Sequence, residues 1–441
     1  MKSKKGKPEF AVVMMVFGLL LTVMAVYGIS PVEGAEKAIK VGLVYDVSGP
    51  YAPISKINYD ILSPYIKYLN KEGGIAGHPV DLVFYDSASD PATATSSVKK
   101  LTEQDKVYMI FGNTMTGNAI PMGLAAADGK TVYAAHTGSI VAEQQWRKAK
   151  PHVFPWTFRV NISGEPDMNL PICALLTEMK IKRIALLYPE SAYGKAQSTY
   201  LRKIAPSYNL EVVAAESYPV DATVFGAQIA SLKKYSGIGA VVGCGAELAS
   251  ALAIAAVREA GMKVITISSV PNASPEMMAV KKVSKAFDIQ PGHIIQSWGG
   301  EGWETMPRGP QRNQIEEFNN KFFRPTFGFD VSGFWYISAF ANWQVHQKTW
   351  ERILKDKPGI LDQDLATIRS AYRDYLEKMK NVQTCVGVFS FSPDDHNGYE
   401  ICSGVNLAQW VDGKWVYLPQ YQRVVNAIAD QARKGQIKKY D

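Results

Sequence analysis

From residue 39 to residue 267, short β-branched apolar runs alternate with longer segments of helical periodicity, and that alternation leaves few folds open. Residues 39–45 read as a first strand. After the turn Ser48-Gly49-Pro50-Tyr51, a helix is expected near 59–72, where Ile61, Leu62, Tyr65, Ile66, Tyr68 and Leu69 recur at helical spacing and Gly73-Gly74 ends it. Strands follow at 80–85, 107–111 and 131–135, with helices at 91–102 and 116–127. The rhythm restarts after Phe158-Arg159, with strands at 183–188, 211–218, 240–242 and 263–267 between helices at 166–179, 193–205, 225–234 and 248–260. Two consecutive α/β units of similar size result, without a residue-level repeat. The remainder departs from this pattern. Residues 299–310 are rich in glycine, tryptophan and proline, helices are expected at 314–323, 334–345 and 365–379, and 386–416 reads as short strands turning at Asn397-Gly398 and Asp412-Gly413. A late helix and a late β unit need an edge to pack against, so the chain is expected to cross back between the two units.

The N-terminus carries Lys2, Lys4, Lys5 and Lys7, then an apolar run over 10–29 that ends at Ser30-Pro31 and the small residues Gly34 and Ala35. This is the pattern of a cleavable signal peptide over 1–35, the alternative being an uncleaved anchor of spanning length. An exported, periplasmic protein is expected, and no cysteine precedes Cys173 to take a lipid. The remaining chain of about 400 residues exceeds one comfortable core and divides into two domains. The formal net charge is +7, and the four lysines and two glutamates of the first 35 residues account for two of those charges. With no basic run in the body, nucleic acid is not an expected partner. In an oxidising compartment the four cysteines allow disulfides. A bridge between Cys385 and Cys402 across the turn at Pro393-Asp394-Asp395-His396-Asn397-Gly398 is one reading and free thiols the other, while Cys173 and Cys244 read as buried free thiols.

A search for catalysis is mostly negative: there is no nucleophile-elbow or phosphate-loop motif, and the six histidines are scattered. No enzyme, metal or cofactor is expected. Gly243-Cys244-Gly245-Ala246-Glu247-Leu248 follows a strand as a dinucleotide fingerprint would, but Leu248 stands where a small residue is needed. Asp394-Asp395-His396 reads as a turn whose side chains cap their own backbone, ahead of a metal or acid/base site. What gathers at strand ends is neutral hydrogen-bonding chemistry, in Asn113-Thr114-Met115-Thr116-Gly117-Asn118 and in His136-Thr137-Gly138-Ser139. Loops at the carboxyl ends of parallel strands, beside helix N-termini, suit an anionic group such as a carboxylate. Helix capping by Thr116 and Ser139 is the structural alternative.

In order along the chain stand Ile39-Lys40-Val41-Gly42-Leu43-Val44 with Ser48-Gly49-Pro50, Gly73-Gly74-Ile75 with Gly77, Tyr85-Asp86 with Asp90-Pro91, Tyr193-Gly194, and 252–261. With these stretches the chain resembles the type I periplasmic solute-binding proteins of ABC importers, in particular the branched-chain amino acid (Leu/Ile/Val) receptors. The resemblance implies two Rossmann-like lobes with parallel sheets, residues 36–157 plus 298–388 and residues 158–297 plus 389–441, joined by three crossovers near 156–159, 294–298 and 389–391. It implies a monomer that presents its closed form to an ABC-type membrane permease. The ligand's carboxylate would meet Thr116 and the loop of His136, Thr137, Gly138 and Ser139; Tyr193 would close from the other side and Tyr51 would wall the pocket. Two departures bear on the solute. The family's amino acid receptors hold the ligand ammonium with an acid, expected here after 263–267, where the chain reads Ser268-Ser269-Val270-Pro271, and an aromatic expected near Gly245 is missing. Glu247, Glu301 or Glu190 would have to substitute for that acid. The run from Trp298 to Trp303 suggests a wall for a flat or apolar ligand. The expectation is therefore a receptor closing on a small carboxylate-bearing or amide-like solute, aromatic ones included. Branched-chain amino acid binding, a sensory module and an exported hydrolase on the same scaffold are the alternatives.

Overall fold

The computed structural model describes residues 36–149, 151–162, 164–269 and 273–439; the expected signal peptide lies outside the described residues, as do Val270 and Pro271. Two open sheets organise the chain. The first contains β1 (Ile39–Tyr45), β2 (Val80–Asp86), β3 (Met109–Gly112), β4 (Val132–Ala135) and β5 (Thr157–Arg159) in the order β2-β1-β3-β4-β5, all parallel. The second contains β6 (Arg183–Pro189), β7 (Glu211–Tyr218), β8 (Ala240–Gly243), β9 (Ile265–Ser268) and β10 (Ile294–Ser297), again parallel. A small antiparallel pair, β11 (Val382–Thr384) and β12 (Gly387–Phe389), stands apart. β13 (Asn406–Val411) and β14 (Lys414–Tyr417) then extend the second sheet antiparallel to β10, which completes the order β14-β13-β10-β9-β8-β6-β7. Near-continuous burial of β3, β4, β8 and β10 follows from helices on both faces, which a parallel sheet needs.

The expected helices form, with local chemistry at their starts. Asp90 accepts the Thr93 N–H at 2.7 Å, Ser191 that of Gly194 at 3.0 Å and Asp364 that of Thr367 at 3.0 Å, each satisfying a donor orphaned at a helix N-terminus. The first helix spans Ala52–Lys71, beginning well before the expected residue 59. Pro53 sits in its first turn, where a missing N–H costs nothing, so a stretch that reads as loop is helix. The helix Phe334–Asp356 is twice the expected length and packs on Ala52–Lys71, returning the chain to the first lobe. Residues 294–298, expected as a crossing, include the fifth parallel strand of the second sheet.

The chain passes between the lobes after β5, after β10 and after β12. At that junction Arg159 donates to the carbonyls of Thr137 and Ile162, each at 2.9 Å, and to Asn397 Oδ1 at 2.5 Å. His396 stacks between Phe154 and Phe158, with centroids 4.2 and 3.9 Å away, while Asp395 accepts the Asn397 N–H at 3.0 Å. The acidic turn is thus a fastening between crossovers.

The bridge between Cys385 and Cys402 is not formed; both are buried free thiols, as are Cys173 and Cys244. Cys385 turns its Sγ to the Ile337 carbonyl at 3.6 Å, in the helix Phe334–Asp356, whereas Cys402 gives its backbone N–H to Asp167 in the helix Glu165–Glu178. The two residues are held on opposite sides of a crossover, which the apparent hairpin in sequence conceals.

Candidate functional site

A cavity of about 300 Å³ lies between the lobes and is lined from the carboxyl ends of both sheets. From the first lobe come Tyr51 and Ile54 at the start of the first helix, Ser89 after β2, Thr114 to Asn118 after β3, and His136 and Gly138 after β4. From the second come Met168, Ser191 to Tyr193 after β6, and Ala246 and Glu247 after β8. Asn161 and Ile162 reach it from the first crossover, and Phe334 and Trp335 from the start of the helix Phe334–Asp356. The lobes are closed on one another. Ile54, 2% exposed, belongs to a hydrophobic cluster made otherwise of second-lobe residues, and a Cβ on Gly138 would lie 3.1 Å from Met168 Cε and 3.4 Å from Tyr193.

The polar end is built from helix starts. The helix Thr116–Asp128 has no side-chain cap; Thr116 lies inside it and pairs its hydroxyl with that of Thr137 at 2.7 Å. Opposite stands the start of the helix Ala192–Ile204, whose cap Ser191 serves only the Gly194 N–H. First-turn N–H groups therefore enter the cavity region from both lobes, and this concentrates positive potential without a formal charge. Among the described residues, no lysine or arginine lines the cavity. His136 adds a neutral ring. Its Nδ1 lies 2.7 Å from the Tyr45 hydroxyl. Burial pulls its pKa down to about 3 and keeps it uncharged. Beneath these loops Asp46 Oδ1 gathers Ser87 Oγ at 2.6 Å, Asn118 Nδ2 at 3.0 Å, and the Ser89 N–H and Asn113 Nδ2 at 3.1 Å, which fixes the loops after β2 and β3 relative to β1.

Across the cavity stands one carboxylate, Glu247. It is 9% exposed; its Oε2 accepts the Ala246 N–H at 3.0 Å and the Ser250 hydroxyl at 3.2 Å, and no cation pairs with it among the described residues. Burial raises its pKa, against these hydrogen bonds. Tyr51 and Tyr193 share its electrostatic environment, and burial together with nearby acids raises both phenols as well. Phe334 and Trp335 form the aromatic wall. Glu301 supports that wall from behind: Oε1 accepts the Phe334 N–H at 2.7 Å and Oε2 the Ser297 hydroxyl at 2.6 Å.

Of the residues expected from sequence, Tyr51, Thr116, His136, Gly138, Tyr193 and Glu247 line the cavity. Five do not. Thr137 stands behind Thr116, and Ser139 is turned to Glu165 at 2.6 Å. Gly245 is a packing glycine, where a Cβ would lie 2.1 Å from Ser250 Oγ. Ser269 is buried with its hydroxyl 3.2 Å from the Gly243 carbonyl, and Trp298 packs behind Phe334 with ring centroids 5.3 Å apart. Glu190 is exposed and bonds Ser217, so of the three candidate acids only Glu247 reaches the cavity, from the end of β8, one strand away from the expected place. Asn118 belongs to the strand-end stretch after β3 that the sequence singled out, whereas Ser89, Asn161, Phe334 and Trp335 were not anticipated. Asp46 was not either, although its position as the residue after β1 is the kind of strand-end signal that singled out the other loops.

Two parallel α/β lobes, three crossovers and a cavity between facing strand ends define a type I periplasmic binding protein. The profile of the periplasmic binding protein family matches residues 38–414, and the chain belongs to that family. Among proteins of known role it is similar to the leucine-, isoleucine-, valine-, threonine- and alanine-binding protein of Pseudomonas aeruginosa, 25% identical over 217 residues, which is 49% of this chain and 56% of that one. It is also similar to the leucine-specific-binding protein of Salmonella typhimurium, 24% identical over 198 residues, 44% of this chain and 51% of that one. The chain thus spans about half the length of these relatives. Among solved structures, an extracellular ligand-binding receptor from Rhodopseudomonas palustris HaA2 superposes with a TM-score of 0.73 at 24% identity, over 87% of this chain and 100% of that one. The substrate binding protein LivJ of Streptococcus pneumoniae, in complex with isoleucine, does so with 0.70 at 18% identity, over 87% and 99%. The family places the protein outside the cytoplasm. Among the described residues, no helix is long and apolar enough to cross a membrane.

Proposed function

We propose that this protein is a non-enzymatic receptor that closes on a small zwitterion, an α-amino acid with an apolar side chain, and presents the closed form to an ABC-type permease. The reading rests on one observation: Glu247 is the only formal charge in the cavity lining, it is buried, and it has no cation partner among the described residues. An unpaired buried carboxylate is strongly unfavourable, and a ligand ammonium would relieve it. A solute carrying only a carboxylate would bring a second negative charge into a cavity without lysine or arginine. With an ammonium at Glu247, the solute's own carboxylate would meet the uncapped helix start at Thr116 and the helix start at Tyr193, which Ser191 caps at a single N–H. Tyr51, Phe334 and Trp335 favour an apolar remainder. The relatives named for leucine, isoleucine and valine support the same class of solute.

Titration calorimetry tests this reading. Apolar amino acids are expected to bind, and Glu247→Gln to weaken them by about 3 kcal/mol, on the order of a hundredfold in Kd. The ligand-free melting temperature of that variant should be unchanged or raised, because a strained carboxylate is removed. If isocaproate, which is leucine without its amine, binds the native protein as tightly as leucine does, the assignment of Glu247 is wrong.

A further inference from the structure

A second hollow adjoins the cavity at Glu247. Tyr51, Ile54 and Glu247 also line a second chamber of about 160 Å³ at the mouth of the cleft. Its first-lobe wall is the start of the helix Ala52–Lys71. Its second-lobe wall is the turn after β7, with Ala222 and Thr223, together with Ala249 and Leu252 of the helix Leu248–Glu259. Ile54, Ala249 and Leu252, 2, 4 and 8% exposed, make an apolar floor contributed by both lobes, while Pro50, Pro53, Asp221, Thr223 and Leu248 form an exposed rim. Among the described residues its carboxylates are Asp221 and Glu247, and no lysine or arginine lines it. Apolar walls facing unfilled space forfeit dispersion contacts that a snug occupant would restore. An anionic occupant is disfavoured by the two acids.

We propose that this chamber is a subsite for an uncharged apolar extension of the solute, so that the protein prefers amino acids with side chains longer than those of leucine, isoleucine and valine. The inference rests on the reading of Glu247 as the ammonium partner. It adds that the solute passes Tyr51 and Ile54 instead of stopping within the main cavity. The two hollows share Tyr51, Ile54 and Glu247 as lining, and residues of both lobes wall each of them.

Calorimetry on the full protein with leucine, phenylalanine, homophenylalanine and glutamate tests it. The longer aromatic amino acids should bind at least tenfold more tightly than leucine, and glutamate at least tenfold more weakly. Thr223→Trp and Ala222→Trp each place an indole in the chamber; Thr223 is exposed, so its replacement disturbs no packing. Both variants should lose the preference for long side chains while leucine affinity stays within twofold. Equal affinity for leucine and its longer analogues in the native protein, or an equal effect of the tryptophans on both, overturns the subsite and leaves the Glu247 reading intact. Absence of binding by every amino acid overturns both.

Discussion

At the scale of single residues, three buried acids and three buried histidines pull the protein's response to pH in opposite directions. Burial raises Asp167 and Glu301 each to about 7, and raises Glu247 as well. A carboxyl whose folded pKa lies above its unfolded value contributes stability below the unfolded value and loses it as pH climbs through the folded one. The contribution of these acids to the stability of the ligand-free protein should therefore fall between about pH 4 and about pH 7, against the opposite slope of the buried histidines His136, His293 and His346, whose pKa values burial lowers. Glu301→Gln, which keeps an acceptor for Phe334 and can donate to Ser297, should remove its share of that loss, about 3 kcal/mol. Thermal melts across that range check this; parallel profiles of variant and native protein would refute it. The cavity lining was legible at this scale where a strand end carried hydroxyls, glycine or an aromatic, as at Thr116, Gly138 and Tyr193. It was misread at Ser269 and Gly245, because a loop in sequence does not say which side of the strand end its side chains occupy.

At the scale of elements, the segment from Ser297 to Glu301 sets the aromatic wall. Gly300 passes so close to the start of the helix Phe334–Asp356 that a Cβ there would lie 2.3 Å from the Phe334 nitrogen, and its carbonyl accepts the Gly333 N–H at 3.0 Å. Gly300→Ala should push this helix start away, costing about 2 kcal/mol in a denaturant melt and weakening solute binding more than tenfold. A variant with native affinity would show that the wall does not depend on this contact. Strands and helices with strong periodicity formed where expected. The early start of Ala52–Lys71 escaped notice because Pro50 and Pro53 signal a loop unless the helix start itself is known. β10 escaped because a four-residue strand buried on both faces carries no alternation to read.

At the scale of the whole molecule, the closed arrangement described here should be the ligand-bound one, since bridging solute is what favours it. Small-angle scattering is expected to show a smaller radius of gyration on addition of a bound amino acid, and at a hundredfold excess over Kd the protein should gain about 2.7 kcal/mol of stability. An unchanged radius together with that stabilisation would mean that the free protein is already closed. The amino-acid sequence by itself determined two parallel α/β units, the strand ends at which a solute could bind and the need for the chain to cross back, because all three follow from local periodicity and turn chemistry. Only the tertiary structure decided that Glu247 is the acid in the cavity, that Phe334 and Trp335 reach it from some three hundred residues beyond Tyr45, and that Cys385 and Cys402 stay apart. Those outcomes depend on how three crossovers fold distant segments onto one cleft, and no spacing along the chain encodes that distance.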